Sequence, residues 1–322
     1  MDDIKYFIGP MSKNVVDAIV DFCNKTNNTI GLIPSRRQVE YDGGYVNNWT
    51  TEEFSKYVTS LPLQRDHAGP GQGNIDDDGF TSLTHDSKHL NLIHIDPWKK
   101  YPGYTEGLEE TMKLIRYCYE LNPDIKYEVG TEEAIRKFEP WELNELIKDL
   151  YAYLPPEIFK KIKYLVIQSG TSLKGTNQIG TYDSDRLKRM IKVCKSHALL
   201  SKEHNGDYIP VSVIKEKFEL GLDAINIAPE FGLIETQTYL DEIGNSDLFD
   251  RYWQICYDSK KWEKWVNPGF DPYINKKELI KICGHYVLSY PEFLTTIKSN
   301  FSGIDEKIKA NITKKLNELY GY

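Results

Sequence analysis

Short apolar runs alternate with amphipathic stretches along most of this chain. Runs at 5–8, 29–33, 61–65, 90–95, 126–130, 163–168, 198–202 and 223–227 have the length of buried strands. They recur roughly thirty residues apart, which leaves room for one strand, one helix and two loops in each repeat. Between them the apolar positions shift to helical spacing. Val15, Val16, Ile19, Val20, Phe22 and Cys23 form one stripe, and Leu187, Met190, Ile191 and Cys194 form another. Asp183-Ser184-Asp185 stands where the second stripe needs its N-terminal cap. This alternation predicts an α/β fold, a (β/α)8 TIM barrel over residues 1–240. An open, doubly wound sheet is the alternative. It calls for a glycine-rich phosphate loop after the first strand, and Gly9-Pro10-Met11-Ser12 lacks that pattern. The pattern changes after about Thr236. Residues 241–322 predict a helical C-terminal segment packed on the barrel, with irregular helices around Trp253, Trp262 and Trp265. Its last stretch is a clean amphipathic helix through Ile304, Ile308, Ile312, Leu316 and Leu319.

Composition narrows the function. The chain has 322 residues, 40% hydrophobic and 27% charged, as in ordinary globular proteins. A net charge of −8 argues against a nucleic-acid binder, which needs a basic stripe to displace counterions. No stretch approaches a membrane span, and Met1-Asp2-Asp3-Ile4-Lys5 lacks the basic flank and apolar run of a secretion signal. The five cysteines are scattered and form no CxxC; Cys23, Cys118 and Cys194 lie at apolar helical positions, where cysteine is a small core residue. The expected location is cytoplasmic and the expected ligand a small molecule. The 22 tyrosines suit a pocket for something rich in hydroxyls.

In such a barrel the chemistry sits at the carboxyl ends of the strands. Every end here carries polar groups: Ser12; Arg36 and Gln38; Asp66 and His67; His94 and Asp96; Glu128, Thr131 and Glu132; Gln168; His204, Asn205 and Asp207; Asn226 and Glu230. Imidazoles, carboxylates and amides are the side chains that hold metals and sugar hydroxyls. Asp66-His67, followed by Ala68-Gly69-Pro70, is the sharpest pair, because an imidazole there can bind a metal while the carboxylate moves a proton. A simple strand-end cap is the other reading of that pair. His67 and His204 are the expected metal ligands, with Glu128, Glu132 or Gln168 as the third. Zn²⁺ suits that set, with Mn²⁺ and Mg²⁺ as alternatives. Asp66, Asp96 and Glu132 are the expected catalytic carboxylates. His94 and Asp96 share a face of their strand by period-two geometry and are expected to orient a substrate hydroxyl, with Gln38 as a further contact. Two loops are expected to hold a phosphate: the one after the sixth strand, carrying Ser172 and Lys174, and His204-Asn205-Gly206-Asp207 after the seventh. Arg36, Arg37 and Arg65 can add positive charge, and His285 can reach the mouth from the C-terminal segment. Lys202 offers a metal-free alternative, a Schiff base with a ketone.

Taken in order, these strings resemble the family of the so-called non-catalytic (Z-type) subunit of class II D-tagatose-bisphosphate aldolase. That family includes members regarded as metal-dependent sugar-phosphate 4-epimerases. The matching strings are Gln38-Val39 with Asp42-Gly43-Gly44-Tyr45, Asp66-His67-Ala68-Gly69-Pro70, His94-Ile95-Asp96, Val129-Gly130-Thr131-Glu132, Val166-Ile167-Gln168 and Glu203-His204-Asn205-Gly206-Asp207-Tyr208. Gly284-His285-Tyr286 and the last helix extend the likeness over nearly the whole chain. The resemblance implies the class II aldolase type of barrel, with Asp66 transferring a proton and His67 and His204 on the metal. It also implies a phosphate loop after His204, and Asn226 facing the substrate carbonyl. Where class II aldolases use a third histidine, the resemblance places Gln168 or an acid. The activity it implies is C4 epimerisation or aldol cleavage of a ketose, expected as a sugar phosphate. The alternative is an accessory subunit that stabilises a separate catalytic aldolase. A homo-oligomer is the other expected assembly.

Overall fold

Strand β1 (Tyr6–Ile8) lies between β2 (Gly31–Leu32) and β8 (Ala224–Ile227), so the two ends of the repeating region meet in one sheet. The computed structural model describes residues 4–322, so Met1, Asp2 and Asp3 of the N-terminal stretch lie outside the described residues. The remaining strands are β3 (Gln64–Ala68), β4 (Leu92–Ile95), β5 (Lys126–Val129), β6 (Ile162–Ile167) and β7 (Leu200–Glu203). All pairings are parallel, in the order β2-β1-β8-β7-β6-β5-β4-β3. Parallel bridges Leu32–Leu63 and Ser35–Asp66 join the two edges. The eight strands thus form a nearly closed barrel, as the alternation predicts. Strand β3 runs further than the expected 61–65 and takes in Asp66 and His67.

Helices cover the outside because their apolar stripes have nowhere else to go. Lys13–Thr26 is capped by Ser12, whose hydroxyl accepts from Val15 N, and Asn27 ends it in the left-handed conformation. It buries Val15, Val16, Ala18, Ile19, Phe22 and Cys23. Asp183 caps Ser184–Ser196 through the amides of Asp185 and Arg186. The expected domain boundary at residue 240 falls inside the helix Pro229–Ile243, which follows β8 directly. Beyond it come Asp247–Asp258, Lys276–Cys283, Pro291–Thr296 and Ile304–Tyr320. The last of these packs on Lys13–Thr26 and Pro229–Ile243, and Tyr6 Oη donates to its Leu319 carbonyl at 2.8 Å. Among the described residues no helix is long and apolar enough to cross a membrane.

Inside the barrel, Ile4, Phe7, Ile33, Leu92, Tyr164 and Ala224 form a small apolar cluster of their own. Against it Lys202 Nζ donates to Gln64 Oε1 at 2.6 Å and Glu128 Oε2 at 2.8 Å, and lies 3.5 Å from the Phe7 ring centroid. Two residues beyond Gln64, Lys202 and Ala224 stand Asp66, His204 and Asn226, by the period-two alternation of a strand. They reach the cavity at the mouth.

Candidate active site

Consecutive residues of a regular strand face opposite sides, so Asp66 and His67 should not both reach the barrel mouth. They do, because β3 is irregular there. Its register against β4 shifts between Arg65 and Ala68, and His67 adopts φ +48°, a left-handed conformation costly for a non-glycine residue. The bulge brings His67 beside its neighbour and next to two other imidazoles. Ring centroids of His67, His94 and His204 lie 4.8, 4.9 and 5.1 Å apart.

Each ring is held by one nitrogen. His67 Nδ1–H donates to Asp96 Oδ2 at 2.5 Å, His94 Nε2–H to the Gly130 carbonyl at 3.0 Å, and His204 Nε2–H to Glu128 Oε1 at 2.6 Å. These acceptors choose the tautomers. The lone pairs are then left on His67 Nε2, His94 Nδ1 and His204 Nδ1. Asp66 Oδ1 lies 3.9, 3.8 and 3.9 Å from these three nitrogens in turn. The ligand atoms of the four residues all fall within 4.8 Å of one another. The His67 backbone N–H also donates to His94 Nδ1, at 3.3 Å.

The electrostatics match a cation site. Burial works against the charged imidazole of His67, yet Asp66 and Asp96 hold its pKa up to about 10. Burial likewise opposes the Asp66 carboxylate, but His67, His94 and His204 hold it well below the usual range. Three imidazole nitrogens beside a carboxylate, each ring steered by a carboxylate or carbonyl behind it, fit a divalent ion.

The surrounding residues differ in part from expectation. Neither Glu128 nor Gln168, both expected as metal ligands, stands among the converging atoms. Glu128 Oε1 accepts from His204, and Oε2 accepts from Gln64 at 2.5 Å and from Lys202, so the carboxylate sits behind the imidazoles. Gln168 is spent on backbone: Oε1 accepts from Phe138 N, and Nε2 donates to the Thr131 and Arg136 carbonyls, all at 2.8 Å. His94, expected as a substrate contact, supplies the third imidazole instead. Asp96, expected as a catalytic acid, is fully buried behind the His67 ring and accepts from His67, Thr131 Oγ1 and Gln72 Nε2.

Gln38, Glu132, Asn205, Asp207 and Asn226 all line the cavity at the mouth, whose volume is about 290 Å³. Glu132 accepts from Asn205 Nδ2 at 2.8 Å. Gln38 Oε1 accepts from Ser35 N at 2.7 Å. Asp207 Oδ1 accepts from the amides of Ala228 and Glu230 at 2.9 and 2.8 Å, at the start of Pro229–Ile243. Burial first, then the Glu230 carboxylate, pushes its pKa up to about 8. Asn226 Nδ2 donates to Asp66 Oδ1 at 3.4 Å, while its own Oδ1 is buried without a partner among the described residues.

Ser172 and Lys174 do not line the cavity; Leu173 between them does. The loop folds into a hairpin, Leu173 pairing with Gln178 and Lys174 with Asn177, and strand alternation turns Leu173 and its neighbours opposite ways. Lys174 Nζ donates to Asn267 of the C-terminal segment. Arg65 and Arg36 are buried in ion pairs, Arg65 with Asp86 and Arg36 with Glu40 and Asp77. Arg37 lines the cavity instead, joined by Lys264 and His285. Nothing in the local pattern marks Lys264, since it belongs to an irregular segment without period.

No family profile and no curated protein sequence matches the chain. Solved structures do. A protein described as a probable tagatose 6 phosphate kinase, from Sinorhizobium meliloti 1021, has a TM-score of 0.78 at 16% identity, over 98% of this chain and 99% of its own. The fructuronate-tagaturonate epimerase UxaE from Cohnella laeviribosi has a TM-score of 0.63 at 10% identity, over 99% and 81%. The YdjI aldolase from Escherichia coli K12 has a TM-score of 0.57 at 11% identity, over 99% and 92%. At these identities the likeness is one of fold: the chain is built on a barrel shared with an aldolase and an epimerase.

Proposed function

We propose that this chain is an enzyme that uses a divalent metal, zinc above others, for aldol-type chemistry on a ketose. The observation that carries the reading is the convergence of His67 Nε2, His94 Nδ1 and His204 Nδ1 beside Asp66, with every ring held by its other nitrogen. The fold shared with an aldolase and an epimerase supports it. His67, His94 and His204 would hold the metal. When bound, it supplies Lewis acidity at the substrate carbonyl, stabilising the negative charge that builds on that oxygen.

The chain's own groups do the rest. Asp66, ionised and next to the three rings, takes the C4 hydroxyl proton as the C3–C4 bond breaks and returns it as the bond forms. Asn226, with a buried oxygen lacking a partner, binds a substrate hydroxyl and offsets that loss. Glu132, at the rim and held by Asn205, is the second acid–base group. Asp96 and Glu128 keep His67 and His204 in the ligating tautomer. Re-addition after the bound aldehyde rotates gives the C4 epimer, and release gives cleavage. With His94 beside His67 and His204 the cluster has three imidazoles, which favours an enzyme over an accessory subunit. Five buried, unpaired cysteines support a reducing compartment such as the cytoplasm.

The test is metal analysis of the purified protein, followed by assay on ketoses and their phosphates with Zn²⁺, Mn²⁺ and Mg²⁺. Turnover should vanish on chelation, return with metal, and be absent in His94→Ala and His204→Ala. Turnover that survives chelation and both substitutions would sink the reading.

A further inference from the structure

The cavity has a second pole, built from residues that the imidazole cluster does not use. Arg37, from the loop after β2, and Lys264, from the segment laid over the mouth, line the same cavity as Asp66, His67 and His204. No ion pair among the described residues includes either of them; Arg37 donates only to the Gly73 carbonyl, at 3.5 Å. Lys264 sits instead among its own kind. Burial, then the charges of Arg37, Lys261 and Lys99, lowers its pKa to about 7. Its ammonium lies 4.5 Å from the Trp265 ring and 5.7 Å from that of Tyr286. Lys264 is exposed and Arg37 half-buried, so solvent screens part of their repulsion, but neither charge is neutralised by a partner among the described residues.

His285 adds an independent sign. It lines the cavity, is 4% exposed, and neither ring nitrogen has a hydrogen-bond partner. Burial, then Lys264, drives its pKa down to about 3, so the ring is neutral. Buried polar atoms are almost always paired, and an imidazole with both nitrogens unpaired lacks something that a ligand can bring. Its place is made for it: a Cβ on Gly232 would stand 3.0 Å from His285 Cβ. The room also continues outward. A second cavity of about 620 Å³ shares Arg37, Tyr45, Lys264 and Tyr286 with the first and adds two lysines, Lys260 and Lys261, against one carboxylate, Glu263.

We propose that Arg37, Lys264 and His285 form an anion subsite for the phosphate or carboxylate terminus of an open-chain ketose whose carbonyl end lies at the imidazoles. The inference rests on reading the imidazole cluster as the reacting centre. Guanidinium and ammonium groups meet both oxyanions with charge-assisted hydrogen bonds, and His285 Nδ1–H or Nε2–H adds a neutral donor. The subsite does the work that the hairpin lysine, Lys174, is turned away from. Substrates would be held at both ends, the anion at this subsite and the carbonyl end at the imidazoles.

Calorimetric binding to the metal-free protein tests this, using a ketohexose, its 6-phosphate, the corresponding hexuronate and inorganic phosphate. The wild type should bind one anionic ketose at least tenfold more tightly than the neutral one, on the order of 1.4 kcal/mol. Arg37→Ala and Lys264→Met should erase that preference, Lys264→Arg should restore it, and His204→Ala should leave it intact. Preference for phosphate or for uronate both support the subsite and identify its anion. Equal affinity for neutral and anionic ketoses in the wild type would overturn it, as would equal weakening of both in the variants. Should Arg37→Ala fail to fold, Lys264→Met carries the test alone. Absence of turnover with the anion preference intact would count against the metal reading and not against the subsite.

Discussion

Asp66 Oδ1 is nearly equidistant from the three imidazole nitrogens that face it, at 3.8 to 3.9 Å. A carboxylate in that position can be a base beside a metal or a fourth ligand on it. Asp66→Asn separates the two, since it keeps the shape and removes the proton acceptor. As a base, Asp66 predicts a variant with full metal content and turnover reduced about 10²–10⁴-fold. Elemental analysis beside kinetics reads both at once; loss of metal together with activity would make Asp66 a ligand. Asp66, His67 and His204 were recognisable from sequence because each falls at or near the end of an apolar run. His94 was visible too, but its role was not. Which nitrogen of a ring is tied up depends on the Gly130 carbonyl, in the loop after the next strand.

At the level of elements, the irregularity in β3 and the charged layer inside the barrel carry the site. Lys202, Gln64 and Glu128 lie on β7, β3 and β5, and together support the His204 ring. Lys202 does not line the cavity, and its ammonium is shared between Glu128, Gln64 and the Phe7 face, an arrangement for structure and not for a Schiff base. Lys202→Met would leave Glu128 buried without its cation, which costs about 3–5 kcal/mol in comparable buried pairs. Urea denaturation should show this loss, and adding Glu128→Gln should recover part of it. No recovery in the double variant would mean that packing around Lys202, and not charge, is the cause.

At the scale of the whole molecule, the C-terminal segment is part of both core and cavity. Glu235 sits where Pro229–Ile243, the start of Lys13–Thr26 and the last helix meet. It accepts from Ser12 Oγ and from Asn14 Nδ2, which also donates to Asp305. Burial pushes its pKa up to about 7; Ser12, Asn14 and Lys298 pull the other way and Asp305 adds to the rise. A carboxyl whose folded pKa is raised contributes stability that is full below its unfolded value, near 4.5, and is lost as pH rises through about 7. Stability of the wild type relative to Glu235→Gln should therefore fall by on the order of 3 kcal/mol between pH 4 and pH 8. Parallel pH profiles from denaturant unfolding would refute this.

The barrel itself was determined by sequence alone. Burying one face of a helix or both faces of a strand imposes a local period, and strands recurring at nearly constant spacing leave few ways to close. Asp66, His67 and His204 came with it, as residues placed by their position on those runs. Tertiary structure decided the rest. Side chains alternate along an extended chain, so one bulge turned His67 inward; in the turn after β2, adjacent positions put Arg36 in a buried ion pair and Arg37 at the cavity. Gln168 was drawn off by the Thr131 and Arg136 carbonyls, and the hairpin turned Lys174 outward. His285, expected at the mouth, lines the cavity, but Lys264 comes there from an irregular part of the same distant segment, and a contact of that kind leaves no period in the sequence from which it can be read.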